Sequence, residues 1–204
     1  MKRRLLAFAL LSFTGIAFAE DPESIETPDY KVAAQDGEFE VRAYPAMKVV
    51  RTAMKPEQGG RNVGFWQLFN YIQGGNVSAK KIAMTAPVLV EGKRNDGAMS
   101  FVLPKEVASD GAPKPSAEAV EVVEIPGGDY AALRFENSMS QEAADAAKAS
   151  LEKWIQSSGR QIAEGAEAFF AYYDPPWTPE EKKRNEVLIR LAPAAAAAAD
   201  EKAE

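Results

Sequence analysis

The fold is decided by one stretch in the first third of the chain, Glu38–Met54 (EFEVRAYPAMKVVRTAM), and by a second stretch that resembles it. Apolar and charged residues alternate before Pro45, which is the period of a half-buried β-strand, and the proline breaks the run in two. Val120–Phe135 (VEVVEIPGGDYAALRF) has the same form, with the break at Pro126. The two breaks also share a local pattern, VRAYP in the first and VVEIP in the second.

The elements that follow each broken strand come in the same order, a helix and then two strands. In the first half we predict a helix over Val63–Gln73, with Asn62 as N-cap and a stop at Gly74, and strands over Lys81–Val90 and Ala98–Leu103. In the second half we predict a helix over Ser140–Ser157, stopping at Gly159, and strands over Phe169–Tyr173 and Val187–Leu191.

This order predicts an α+β fold, a distorted β-barrel built from two βαββ repeats with two helices packed outside and a cleft near the pseudo-twofold axis. The repeats span about 31–106 and 118–192 within one domain, 31–192, and a linker joins them over Val107–Ala119. Residues 20–30 are predicted to be an extended lead-in, and 193–204 an Ala-rich, low-complexity tail. The alternative is chance similarity between two generic α+β patterns.

Composition excludes several classes of function. The 204 residues contain no Cys and no His, and 24 basic against 30 acidic side chains give a net charge of −6. Disulfides, thiol nucleophiles, Ser-His-Asp triads and imidazole metal ligands are therefore absent, and the charge argues against nucleic-acid binding. No metal motif or phosphate-binding loop is present either, so we predict a non-enzymatic binding protein.

The first nineteen residues have the features of a secretory signal peptide. Lys2-Arg3-Arg4 precede an apolar stretch, Leu5–Ala19, which ends in the small-x-small pattern Ala17-Phe18-Ala19 before Glu20. Fifteen residues are short for a membrane span, so the alternative of an uncleaved anchor is disfavoured. We expect cleavage after Ala19, a periplasmic mature chain that does not span a membrane, and a net charge of −6 − 3 = −9.

The first predicted helix carries more aromatic surface than one buried face needs. Phe65, Leu68, Phe69 and Ile72 form an apolar stripe at helical spacing, whereas Trp66 and Tyr71 fall off it. Two interpretations stand: all six side chains pack on the sheet, or part of this surface forms one wall of a groove for a flat apolar ligand.

Two motifs connect the sequence to a known family. The first is Lys80–Val88 (KKIAMTAPV), and the second is Tyr172–Pro179 (YYDPPWTP), which leads through a basic run to Asn185-Glu186-Val187. The chain resembles the SOUL haem-binding protein family from Tyr30 to Leu191. The resemblance implies a barrel of two βαββ repeats and a tetrapyrrole ligand, haem or a related porphyrin, bound in a shallow apolar groove beside the first helix.

A porphyrin needs apolar walls for its plane and cations for its carboxylate edge. Family members that bind haem carry Met where Phe65 and Phe69 stand and a basic residue where Asn70 stands, and some place a His on the iron. This chain departs from all three features. We therefore expect binding by contact rather than by an iron–His bond. The residues predicted to take part are Phe65, Phe69, Ile72 and Trp177 as walls and Lys182, Lys183 and Arg184 as cations. An axial ligand for the iron could come only from Met, Tyr or Lys, with Tyr71 and Tyr173 as the nearby candidates; the alternative is that the iron has no protein ligand.

The leading hypothesis is a periplasmic carrier or buffer for haem or another tetrapyrrole. The alternative is a SOUL-fold protein-interaction or structural domain that does not bind haem. On that alternative the YDPP segment is a stiff turn and the basic run is a solvated charge cluster. The sequence identifies no protein partner.

Overall fold

The computed structural model describes residues 25–54, 62–93, 96–136 and 140–193. The predicted signal peptide (1–19) and the alanine run of the predicted tail lie outside the described residues. So does the first part of the lead-in.

The described residues form nine strands and three helices. In chain order they are β1 Lys31–Asp36, β2 Phe39–Tyr44, β3 Met47–Ala53, α1 Val63–Ile72, β4 Val88–Lys93, β5 Asp96–Val102, α2 Lys105–Asp110, β6 Val120–Ile125, β7 Gly128–Phe135, α3 Gln141–Ser157, β8 Ala168–Tyr172 and β9 Asn185–Arg190. One turn of 3₁₀-helix, Glu180–Lys182, lies between the last two strands.

All nine strands belong to one curled antiparallel sheet in the order β1-β2-β7-β9-β8-β4-β5-β3-β6. The two broken strands predicted from the sequence lie against each other. β2 pairs with β7, beginning at Phe39 opposite Leu133, and β3 pairs with β6, ending at Thr52 opposite Val120. The pairing keeps the same register on both sides of the bend. At the bend the backbones cross so closely that a Cβ on Gly127 would lie 2.7 Å from the nitrogen of Ala46.

The last two strands of the first half, β4 and β5, join those of the second half, β8 and β9, where β4 pairs with β8. Both halves therefore have the same order of elements: a bent strand, a helix and a hairpin. The predicted α+β fold of a distorted barrel is confirmed, while duplication as its origin stays a prediction.

The sheet buries side chains on both faces, because successive residues of a strand point to opposite sides. α1 packs on β3, β5 and β6, and α3 packs on β7 and β9, each over its own apolar cluster on the convex face. A third cluster fills the concave face; Val49 and Leu89 belong to it, whereas Val50 and Val88 face α1.

Two sequence predictions need correction, and one strand was not predicted. The segment 81–87 is not a strand, because its backbone is satisfied elsewhere: Ile82 N donates to the last turn of α1 (Ile72 O, 2.8 Å) and Ala86 N donates to Glu26 O (2.9 Å). The predicted linker begins inside α2, so the described residues hold three helices rather than two. β1 was not predicted; it is an edge strand that pairs only with β2 in the described sheet.

Candidate ligand-binding site

The candidate site is built on α1, whose start and inner face follow from local sequence. Asn62 accepts a hydrogen bond from Phe65 N (3.1 Å) through its side chain and caps the helix as predicted. Leu68, Tyr71 and Ile72 are buried against the sheet. The Tyr71 hydroxyl donates to Pro113 O (2.8 Å), and burial raises the pKa of this hydroxyl.

α1 carries three aromatic rings in mutual contact, two of which, Phe65 and Phe69, also pack against the core cluster between α1 and the sheet. Phe65 and Phe69 lie nearly parallel, with centroids 5.9 Å apart and 13° between their planes. Trp66 stands edge-on to both, at 5.7 and 5.6 Å. Phe65 and Phe69 are half-buried, while Trp66 is 53% exposed. We call these three residues the α1 aromatic surface.

Two cations follow this surface along the chain. The buried Asn76 side chain donates to the carbonyl oxygens of Tyr71 (3.1 Å) and Lys80 (2.7 Å) and accepts from Lys80 N (3.0 Å). It thereby ties Lys80 and Lys81 to the C-terminal end of α1. Both lysines are exposed, and neither has an ion-pair partner within the described part of the chain.

The YDPP segment forms a stiff loop between β8 and β9. Asp174 accepts from Arg184 through both backbone N (2.6 Å) and side chain (Nη2, 2.8 Å). Partial burial would raise the pKa of Asp174, but the hydrogen bonds and charge of Arg184 lower it below its ordinary value. Lys183 pairs with Glu180 at 2.8 Å. Trp177, at the tip, is 84% exposed.

A buried ion pair crosses the concave face. Arg42 on β2 donates to both carboxylate oxygens of Glu186 on β9 (2.7 and 3.0 Å), and the Tyr173 hydroxyl donates to the same carboxylate (2.8 Å). Burial by itself would raise the pKa of Glu186, but the hydrogen bonds and charge of Arg42 hold it below its ordinary value. Burial, with the nearby Glu186 charge, raises the pKa of Tyr173.

The predicted site residues thus lie in different places. Phe65 and Phe69 come together on the α1 aromatic surface, whereas Ile72 and Tyr71 support it from the core. Tyr173 contributes to the cluster on the concave face, beyond the sheet from α1. Lys183 and Arg184 are already neutralised by partners, and Lys182 is exposed on the same loop.

The predicted site residues did not include Trp66, which belongs to the α1 aromatic surface, or Lys80 and Lys81, which follow the C-terminal end of α1. The signal for Trp66 was present, because its position off the apolar stripe marks it as surface. For the lysines, proximity in sequence to the end of the helix was the available sign. Within the described residues, no group of acidic side chains is arranged to hold a metal ion.

Comparison with known proteins assigns the family. The profile of the SOUL heme-binding protein family matches residues 25–190, which is most of the chain. The chain belongs to the SOUL heme-binding protein family. Heme-binding protein 2 of Homo sapiens is 38% identical over 78 residues, covering 34% of this chain and 38% of the human protein. The protein of the same name from Mus musculus is 34% identical over 80 residues, 36% of this chain and 39% of the mouse protein. The matched region therefore spans less than half the length of either relative.

Solved structures confirm the fold of this SOUL-family chain. A hydrolase from Listeria innocua superposes with a TM-score of 0.56 at 14% identity, covering 78% of this chain and 94% of that one. The C-terminal domain of EcmrR gives 0.52 at 12% identity, covering 80% and 98%. At these identities the likeness concerns the fold alone.

None of the helices in the described ranges has the length and apolar character that crossing a bilayer requires.

Proposed function

We propose that this protein is a non-enzymatic carrier or buffer for haem or a related tetrapyrrole, held on the α1 aromatic surface without a histidine ligand. The observation that carries the proposal is a set of three contacting rings on α1, with Trp66 exposed and Phe65 and Phe69 half-buried, in a member of the SOUL family. Aromatic rings favour offset-stacked and edge-to-face contacts, both of which a planar macrocycle accepts.

The residues present fit such a ligand in two respects. The three rings provide an apolar wall for the plane, and the unpaired Lys80 and Lys81 near the end of α1 provide cations for the propionate edge. Since the 204 residues contain no His, an iron–imidazole bond is not available. Affinity then rests on buried apolar area and on these charges.

Alanine variants of two exposed tryptophans test the site. The purified chain that begins at Glu20 is titrated with protoporphyrin IX, and binding is followed by absorbance and tryptophan quenching. We expect Trp66→Ala to weaken binding about tenfold, which corresponds to about 1.4 kcal/mol. The change should leave the unfolding midpoint nearly unaltered, because the ring is largely exposed.

Trp177→Ala is the matched control, since it removes a tryptophan that is 84% exposed on the β8–β9 loop. Unchanged affinity in this variant confines the site to α1. A loss equal to that of Trp66→Ala would extend the groove to the loop, as the sequence predicted. Absence of binding by the unaltered protein at micromolar porphyrin would refute the proposal.

A second candidate function, docking of a protein partner, is favoured by Trp177 itself. Tryptophan is enriched at interface hot spots, and the hydrogen bonds between Asp174 and Arg184 stiffen the loop that presents it. Capture of one defined partner that Trp177→Ala abolishes, together with a blank porphyrin titration, would favour this function over the first.

We also propose that the protein acts in the periplasm after export. The support is the charged n-region, apolar stretch and small-x-small pattern of residues 1–19. The mass of the protein recovered from a periplasmic fraction should correspond to a chain that begins at Glu20. An intact Met1 in the cytoplasmic fraction would contradict export.

A further inference from the structure

A second candidate site lies on the concave face of the sheet, away from α1. Its walls come from both halves of the chain, Tyr44 and Leu89 from the first and Tyr130, Phe169 and Leu188 from the second. All of the lining side chains are aliphatic, aromatic, Met or Pro. The remaining cavity volume is about 20 Å³, which is room for about one water.

A segment that precedes β1 forms part of the cavity wall. Residues 25–30, which we call the N-terminal strap, contribute Pro28 to the cavity wall. Glu26 holds the strap through its carbonyl, which accepts from Ala86 N (2.9 Å), and through its carboxylate, which accepts from Lys105 N (2.8 Å). Asp29 adds an ion pair with Lys105 Nζ at 2.5 Å.

The strap is anchored at its end by Tyr30, which contacts the Tyr44 ring (5.0 Å) and the Arg42 guanidinium (4.4 Å), whereas the attachments of residues 25–29 lie at the surface. Four of the six strap residues are exposed, and the Asp29–Lys105 pair is exposed at both ends, 77% and 64%. Solvent-exposed ion pairs contribute about 0–1 kcal/mol, and segments with few buried contacts open locally without global unfolding. Residues 25–29 can therefore leave the cavity wall while the sheet stays folded.

The lining defines the chemistry of a ligand. Among the described residues, no charged side chain lines the cavity, and the nearby Arg42 is already paired with Glu186 and Glu40. Among the cavity tyrosines, Tyr173 and Tyr130 donate their hydroxyl protons to Glu186 and to Pro126 O. Tyr44 instead accepts a long hydrogen bond from Arg42 (3.5 Å), which leaves its own proton for an acceptor atom on a ligand.

We propose that the concave cavity is a binding site for a small, uncharged aromatic compound, and that the N-terminal strap is its lid. The site is separate from the α1 aromatic surface, so it does not depend on tetrapyrrole binding. Pro28 occupies the entrance in the closed form, and opening the strap provides the volume that the ligand takes.

The test uses the chain from Glu20 and the uncharged fluorophore N-phenyl-1-naphthylamine, whose emission rises in apolar surroundings. The unaltered protein should bind one equivalent. The double variant Glu26→Ala/Asp29→Ala removes both side-chain attachments to Lys105 and keeps the backbone bond to Ala86, and we expect it to bind about fivefold more tightly, because a larger fraction of molecules is open.

Two cavity variants change the space in opposite directions. Phe169→Ala enlarges the cavity and should strengthen binding, while Met47→Trp fills it from a half-buried position and should weaken binding at least tenfold. Because the two effects have opposite signs, a general loss of folding cannot imitate both. Trp66→Ala, on α1, should leave binding of this fluorophore unchanged.

The proposal is overturned if neither the unaltered protein nor the Glu26→Ala/Asp29→Ala variant binds the fluorophore. It is also overturned if both cavity variants leave the affinity for the fluorophore unchanged. Loss of the fluorophore in Trp66→Ala would also overturn it, by placing the probe on α1. A failed porphyrin titration leaves this result untouched, so the two proposals fail separately.

Discussion

Replacing Glu186 by Gln should cost the protein about 3 kcal/mol of unfolding free energy. Glu186 is 4% exposed and accepts hydrogen bonds from Arg42 on both oxygens and from Tyr173 on one. An amide has a single acceptor oxygen, so in either orientation its NH₂ group faces an N–H of the guanidinium. Arg42 then stays buried and, within the described residues, keeps only Glu40 as an anionic partner, at 2.6 Å.

The magnitude follows from what is left unpaired. Removing one partner of a buried ion pair costs about 3–5 kcal/mol, and the residual contact with Glu40 places this case at the lower end. With a urea m-value of about 2 kcal/mol/M, the unfolding midpoint should fall by about 1.5 M. Equilibrium urea unfolding at pH 7, followed by circular dichroism, measures this shift.

The pH dependence of the unfolding free energy tests the Glu186→Gln substitution in a second way. The folded pKa of Glu186 lies below the unfolded value of about 4.3, so its stabilisation is present above that pH and is lost as pH falls through the folded value. The difference in unfolding free energy between the unaltered protein and the variant should therefore become smaller at acidic pH.

Lys148→Gln, which breaks an exposed helical ion pair with Glu152, is the control and should lower the free energy of unfolding by less than about 0.5 kcal/mol. A midpoint shift below 0.5 M for Glu186→Gln would refute the reasoning.

Three further changes test the elements around the two sites. Tyr71→Phe removes the hydroxyl that donates to Pro113 O and should lower stability by about 1–2 kcal/mol in thermal unfolding; no loss would mean that this bond contributes nothing. Asn62→Ala removes the cap of α1 and should cost about 1 kcal/mol in the same assay, while Asn62→Asp should retain most of the stability. Gly127→Ala places a Cβ 2.7 Å from a backbone nitrogen at the bend and should lower the free energy of unfolding by about 1–3 kcal/mol. Gly64→Ala, whose Cβ would have its nearest contacts at 3.4 Å, should be neutral or slightly stabilising. Equal changes in unfolding free energy for the two variants would contradict the close approach of the backbones at the bend.

Elements whose signals are local were predictable from the sequence. α1 begins at its Asn62 cap and carries an apolar stripe at helical spacing, so its bounds came out within a residue. The bent strands also have local signals, alternation and a proline. In contrast, β1 (KVAAQD) has little apolar periodicity, because an edge strand buries few side chains.

The wrong predictions concern segments whose secondary structure depends on hydrogen-bond partners that are distant in the sequence. Lys81–Val90 alternates like a strand, but forming a strand requires a neighbour with free backbone groups, and residues 81–87 bond to α1 and to the strap instead. The candidate site shows the same limit. The aromatic surplus on the first helix and the position of Trp66 off its apolar stripe were visible in the sequence, whereas the contact of Phe65 with Phe101 depends on how α1 packs on the sheet. The Arg42–Glu186 pair joins residues 144 positions apart, and no short motif announces it.

The comparison of two ligands tests the central claim most directly. Dissociation constants of the unaltered protein are measured for hemin and for metal-free protoporphyrin IX under the same conditions. If the macrocycle is held by contact with the α1 aromatic surface, the two values should agree within about threefold, since a tenfold difference corresponds to about 1.4 kcal/mol. Hemin binding that is a hundredfold tighter would show that an iron bond holds the ligand, and would contradict the account.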